Sequence, residues 1–273
     1  MKSTAKYPAH DLTLFFTVTF LVSWGTWHAA IKVGGSAMTW PTVLLYILGA
    51  LGPSIGALAV RIRRGRRPAP EYAVRSRGRR LMWVVPLLIL GSGGVLAGVL
   101  ATPLLGGSGV QLDPGLQMVA LSGGPVAFLI GSLIGGPLPE EPGWRGTAYP
   151  RLRAKMGRAS ASLLLGVVWS VWHLPLFFIP GTVQAGFGLV SWVGLFFFLS
   201  VVPMSVLTCV AYERAGVVGS IVTHLAVNAT LALLTVSAAV TMACIVVVLS
   251  VLALILLATP APKPKPRHEV RYA

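Results

Sequence analysis

Apolar residues run through this chain in blocks of roughly twenty, and charged residues gather in the short stretches between them. Within a block the apolar positions neither alternate with polar ones nor keep to one helical face. A helix that is apolar all round is buried in a large core or in lipid. The hydrocarbon layer of a bilayer is about 30 Å thick, and a helix needs roughly 20 residues to cross it. Eight spans are predicted, at residues 12–33, 41–60, 81–101, 116–138, 160–179, 189–211, 217–235 and 240–258. The expected fold is all-α: a polytopic membrane protein, one integral domain over residues 1–273, with a catalytic cavity inside the bundle. Lys2 and Lys6 precede the first block, but its length and the lack of an Ala-x-Ala site favour an uncleaved span over a signal peptide.

Glycine and proline mark where these helices meet and break. The Gly49-x-x-Gly52 and Gly52-x-x-x-Gly56 spacings put small residues on a face that lets another helix approach closely, and Pro53 should kink that span. Gly135-Gly136-Pro137 and Pro139 should break the chain just before two adjacent carboxylates. Irregular backbone at membrane depth is tolerated only where protein buries it or water fills a cavity. A wet cavity beside Glu140 follows. A second helix is expected to start near Glu140, with Pro142 in its first turn, where a missing amide hydrogen does little harm.

Composition agrees with the pattern. The chain is 55% hydrophobic and 11% charged, with a mean hydropathy of +0.79, which is a membrane composition. Cys209 and Cys244 fall inside apolar runs without metal or disulfide spacing and read as small buried hydrophobes. The net charge of +15 raises the question of nucleic acid, but its distribution answers it. Nine of the 22 Lys and Arg lie between Arg61 and Arg80, five between Arg145 and Arg158, and four in the Pro/Lys tail from Lys263 onward. That is the positive-inside pattern of a multi-pass protein facing anionic lipid, so no nucleic-acid partner is expected. With eight spans, the basic loops and both termini lie on the cytoplasmic side of the cell membrane. The opposite loops, 34–40, 102–115, 180–188 and the stretch near Ser237, contain no Lys or Arg. The segment through Arg151, Arg153 and Lys155 should sit at the cytoplasmic surface.

Against this background Glu140-Glu141-Pro142-Gly143-Trp144-Arg145 is out of place. Ionisable groups at membrane depth are costly and mark functional sites. Glu141 and Arg145 are four apart with the acid first, the favourable order for a helical ion pair. Glu140 points about 100° away and is left for chemistry. A partly desolvated carboxylate holds a proton more tightly than one in water, which suits a general base acting on water. Span five carries Trp169 and His173 at i and i+4, and span seven carries His224 and Asn228 at the same spacing. Two fixed donors in a low-dielectric site can stabilise a tetrahedral oxyanion. At about 1.5 Å per residue, His173 and His224 lie roughly 20 and 11 Å from the cytoplasmic ends of their helices, so one pocket can hold both. Each group also has a plain structural reading. Charges anchor a helix end at the headgroups, polar side chains join helices, and tryptophans pack at interfaces. His28 is read as packed or interfacial.

Taken together and in this order, the three clusters resemble the CPBP family of intramembrane proteases, which includes the CAAX prenyl endopeptidases and bacteriocin-immunity relatives. Its Glu-Glu-x-x-x-Arg motif is met by Glu140, Glu141 and Arg145. Its Phe-x-x-x-His motif is met by Trp169 and His173, with tryptophan in place of phenylalanine. Its His-x-x-x-Asn motif is met by His224 and Asn228. The resemblance covers a core of roughly residues 116–235. It implies that Glu140 and His173 activate a water, that His224 and Asn228 bind the oxyanion, and that Glu141 and Arg145 support them. The implied substrate is a membrane-associated peptide or protein, CAAX-like or prenylated, and no cofactor is expected. Family members have also been described as metalloproteases, and Glu140, His173 and His224 would make a zinc set with an open fourth position. No His-Glu-x-x-His helix accompanies them. A non-enzymatic immunity or partner-binding protein would show a motif residue replaced, and a transporter would show inverted repeats. The sequence keeps every polar motif residue and shows no inverted repeat.

Overall fold

The computed structural model describes residues 9–67, 69–76 and 78–261. Lys2, Lys6 and the Pro/Lys tail beyond Ala261 lie outside the described residues. Every regular element among the described residues is helical. Five helices are long and apolar enough to cross a membrane, or seven if each of two bent helix pairs counts as one span. The protein is thus a multi-pass all-α membrane protein. The difference from the eight expected spans lies at one joint. Predicted spans six and seven fall on a single 42-residue helix, Trp192–Leu233, which would be about 63 Å long if straight, twice the hydrocarbon thickness. It leaves helical geometry at Gly216, where φ is 68° and ψ is −157°.

Helix α1 (Ala9–Val33) packs against the bent pair α2 (Thr42–Ala50) and α3 (Gly52–Arg64), which meet at 48° beside Pro53. The expected close approach is present. A Cβ added at Gly49, Gly52 or Gly56 would overlap Trp27, Ser23 or Thr19 of α1. Ser23 Oγ donates to the Gly49 carbonyl at 2.7 Å across the same seam. Helix α4 (Val84–Ala101) uses glycine in the same way. Gly91 faces Ala226 and Gly98 faces Ile245.

Predicted span four is not one helix. It divides into α5 (Asp113–Leu121) and α6 (Pro125–Ile134), with an 85° bend between α5 and the helix that begins at Pro125. Gly123 and Gly124 have φ of 91° and 98°, and Pro125 then opens α6. Left-handed backbone followed by a fixed-φ residue ends one helix and starts another. The expected second break is also present. α6 stops at Ile134, and α7 (Pro137–Gly143) begins after Gly136. The start near Glu140 needs correcting: α7 begins three residues earlier, so Pro142 lies inside the helix. Without an amide hydrogen it cannot close its α-helical bond, and the wider π turn Trp144–Ala148 follows before α8 (Tyr149–Arg153).

α7 is held from behind by α3. A Cβ at Gly143 would lie 2.5 Å from the Pro53 carbonyl carbon, and Ser54 Oγ donates to the Pro139 carbonyl at 2.6 Å. α9 (Arg158–Trp172) packs on the first half of the long helix, numbered α11 here after the short α10 (Val183–Phe187). Ser205 Oγ donates to the Ser162 carbonyl at 3.0 Å between them. α12 (Ala239–Ala258) closes the bundle against α4 and α11. Cys209 and Cys244 are buried as expected, and His28 is exposed, with Nδ1 2.6 Å from the Trp24 carbonyl.

The basic segment after the motif is drawn partly into the protein. Arg151 is buried, and its Nε meets Asp11 Oδ2 of α1 at 3.3 Å, with Arg64 at 3.6 Å on the same oxygen. Arg158 is buried as well, 2.8 Å from Glu213 Oε2, while Arg153 and Tyr149 reach Glu213 Oε1 at 3.4 and 2.8 Å. These arginines leave the surface because acids on α1 and α11 neutralise them. A buried charge is tolerated only when paired and hydrogen-bonded.

Candidate active site

Three helices bring the motif residues together. Glu140 and Glu141 stand on α7, and Arg145 follows in the π turn. Trp169 lies on α9 with His173 at its C-terminal cap, and His224 and Asn228 lie on the second half of α11. Glu140 is 5% exposed, and Glu141 and Arg145 are fully buried.

The expected ion pair forms. Arg145 Nη1 donates to Glu141 Oε1 at 2.9 Å, with both side chains closed to solvent. Glu141 also does something the spacing did not reveal. Its Oε1 accepts from His224 Nδ1 at 2.8 Å. A carboxylate can only accept here, so Nδ1 carries the proton and Nε2 faces the other way. Arg145, Glu141 and His224 therefore form a relay from the helix turn to the imidazole. Such outer partners fix the ring's orientation.

Glu140 is arranged differently. Its Oε2 accepts from the Trp169 indole Nε1 at 2.7 Å, while Oε1 faces the space beside Gly136. A Cβ built on Gly136 would lie 3.6 Å from Glu140 Oε1, 3.7 Å from His224 Nε2 and 3.3 Å from Asn228 Nδ2. A carboxylate oxygen, an imidazole nitrogen and an amide nitrogen thus border one space next to a bare backbone. The break before Glu140 provides this space: glycine lines it, and no side chain fills it.

His173 joins from the side. Its Nδ1 lies 2.8 Å from the Trp169 carbonyl, which must accept, and this leaves Nε2 free. Trp172 and Phe197 meet its ring edge-to-face at 5.0 and 5.4 Å. No hydrogen bond links His173 to Glu140 directly among the described residues, and Trp169 stands between them. Nor does any group of three or more His, Cys, Asp or Glu side chains among the described residues converge in a way that would hold a metal ion. Glu140, His173 and His224 therefore do not fit the zinc arrangement. A surface cavity lined by Arg80, Met82, Trp83, Glu213 and Arg214 contains none of these residues.

Trp169 is the residue whose part sequence reasoning underrated. Read as a packing residue, it is also a donor to Glu140, and its ring carries the Arg145 guanidinium at 4.1 Å and His224 edge-on at 5.1 Å. The signal was in the sequence as an indole N–H at i−4 from His173.

Two comparisons with known proteins cover this part of the chain. The family model described as "Type II CAAX prenyl endopeptidase Rce1-like" matches residues 122–230, the stretch holding Gly136 and every motif residue. A protein of Methanococcus maripaludis named CAAX prenyl protease 2 is 28% identical over 245 residues, covering 84% of this chain and 85% of that protein. The stretch that carries the three motif clusters is thus similar to the Rce1-like CAAX prenyl endopeptidases, and most of the chain is similar to a CAAX prenyl protease.

Proposed function

We propose that Glu140 Oε1 takes a proton from a water held beside Gly136, and that the water oxygen attacks a substrate peptide carbonyl there. His173 assists from the Trp169 side through its free Nε2. The carbonyl oxygen gains the charge, and Asn228 Nδ2 and His224 donate to it. With Nδ1–H committed to Glu141, Nε2 donates when the ring carries both protons, and Glu141 is then its counter-ion. Glu140 returns the proton to the departing amine. The C–N bond breaks, and one water and one peptide bond give a carboxylate and a protonated amine. The observation that supports this reading most is the convergence of Oε1, Nε2 and Nδ2 within 3.3–3.7 Å of one point.

The substrate class inferred is a membrane-associated protein with a prenylated, CAAX-like C-terminus, as the name of the Methanococcus relative suggests. The orientation inferred places the loop around Arg61–Arg80 and both termini on the cytoplasmic side, following the basic loops. Turnover of a fluorogenic prenylated peptide by the purified protein in detergent tests the mechanism. Glu140→Gln should abolish cleavage, and exhaustive chelation should leave the wild-type rate intact. One equivalent of zinc, lost and regained together with activity, would replace the metal-free mechanism with a metal-dependent one.

A further inference from the structure

Glu140 has two oxygens, and only one faces the point shared with His224 and Asn228. The other, Oε2, is held 2.7 Å from the Trp169 indole nitrogen in a fully buried contact. The last torsion of a glutamate is broad and roughly two-fold. A carboxylate held at neither oxygen would therefore sample orientations that carry Oε1 away from the reacting point. We propose that the Trp169 N–H is a positioning donor: it fixes the Glu140 carboxylate so that Oε1 faces the attacking water.

Trp169 is itself held on every side. Arg145 lies over its ring at 4.1 Å, and His224 packs edge-on at 5.1 Å. Its backbone carbonyl accepts from His173 Nδ1 at 2.8 Å. The residue is 1% exposed. It therefore touches the Arg145 guanidinium behind the site, the His224 imidazole at its front and His173 at its side, and its single polar side-chain atom is spent on Glu140. A phenylalanine at this position, as in the family motif, would keep the ring contacts and lose that bond. The positioning donor is thus a feature of this chain's own tryptophan.

This inference rests on Glu140 as the base. The test pairs Trp169→Phe with site-specific replacement of Trp169 by 3-benzothienylalanine, which keeps the indole shape but has sulfur in place of N–H. A hydrogen bond to a charged group carries enough energy that its loss should lower kcat about 10- to 100-fold. For the isostere, KM and thermal midpoint should stay near wild type, whereas Trp169→Phe also loses buried volume and lowers the midpoint. A purely packing role predicts an isostere indistinguishable from wild type in kcat. A benzothienyl variant with wild-type kcat overturns the inference, and so does one that fails to fold. Glu140→Gln is assayed beside them. If it still cleaves, the base assignment has failed, whereas an inactive Glu140→Gln with fully active Trp169 variants refutes only the positioning role.

Discussion

Gly136→Ala would place a methyl at the edge of the space where the chemistry is proposed to occur. The new methyl would sit 3.3 Å from Asn228 Nδ2, 3.6 Å from Glu140 Oε1 and 3.7 Å from His224 Nε2. These neighbours are side-chain atoms. Only the first is tighter than ordinary van der Waals contact, so a shift of a few tenths of an ångström in Asn228 accommodates the methyl. An attacking oxygen does not fit beside it. Non-bonded heavy atoms keep about 3.5 Å apart, so a water resting against the bare Gly136 backbone must move outward by more than about 1 Å. A displacement of about that size costs on the order of 10² in rate. Crowding the Asn228 donor acts in the same direction, since losing one oxyanion donor costs on the order of 10²–10³. The expected outcome is kcat/KM lowered by at least about 10², with folded yield and thermal midpoint close to wild type. Gly131→Ala is the control, because its Cβ would meet nothing within 4 Å, and it should cleave normally. A folded Gly136→Ala protein working within about threefold of wild type would refute the placement of the reacting atom.

Two further outcomes are expected. Arg145→Ala strips a fully buried carboxylate of its cation, and breaking such a pair by removing one partner costs about 3–5 kcal/mol. Both thermal stability in detergent and activity should therefore fall, and an unchanged melting curve would mean that the pair contributes nothing. Reporter fusions after Arg75 and at the C-terminus should both report from the cytoplasm, and opposite faces would rule out the orientation inferred from the basic loops.

How much of this was legible depended on whether a signal was local. Glycine-lined seams follow from spacing alone, and Gly49, Gly52 and Gly56 receive α1 as that spacing implies. The Glu141–Arg145 pair is likewise an i,i+4 rule. The same Gly-Gly-Pro signal occurs twice, and the one at residues 123–125 is as strong a breaker as the one at 135–137, yet the apolar run around it masked it. Whether a run is one span or a bent pair is decided by what packs against the bend. Long-range pairings were out of reach for a different reason. Nothing near Arg151 names Asp11, 140 positions away, and nothing near Glu141 shows that it also holds His224. A basic stretch reads as solvated unless its acidic partners can be placed, and placing them requires the fold. Trp169 shows the same limit within the site. Its ring was expected to pack, and it does, but the direction of its N–H depends on α7 docking against α9.

The point beside Gly136 is bounded by residues from α7 and from the second half of α11, and neither half of the chain makes it alone. A polypeptide with only its first two hundred residues threaded into the bilayer carries the carboxylate but neither donor. On the proposed mechanism, hydrolytic competence is a property of the finished bundle and requires the stretch beyond Gly216 to be in place. A nascent copy lacking that stretch would then be inert toward its neighbours in the membrane. Turnover would then double as a readout of correct biogenesis.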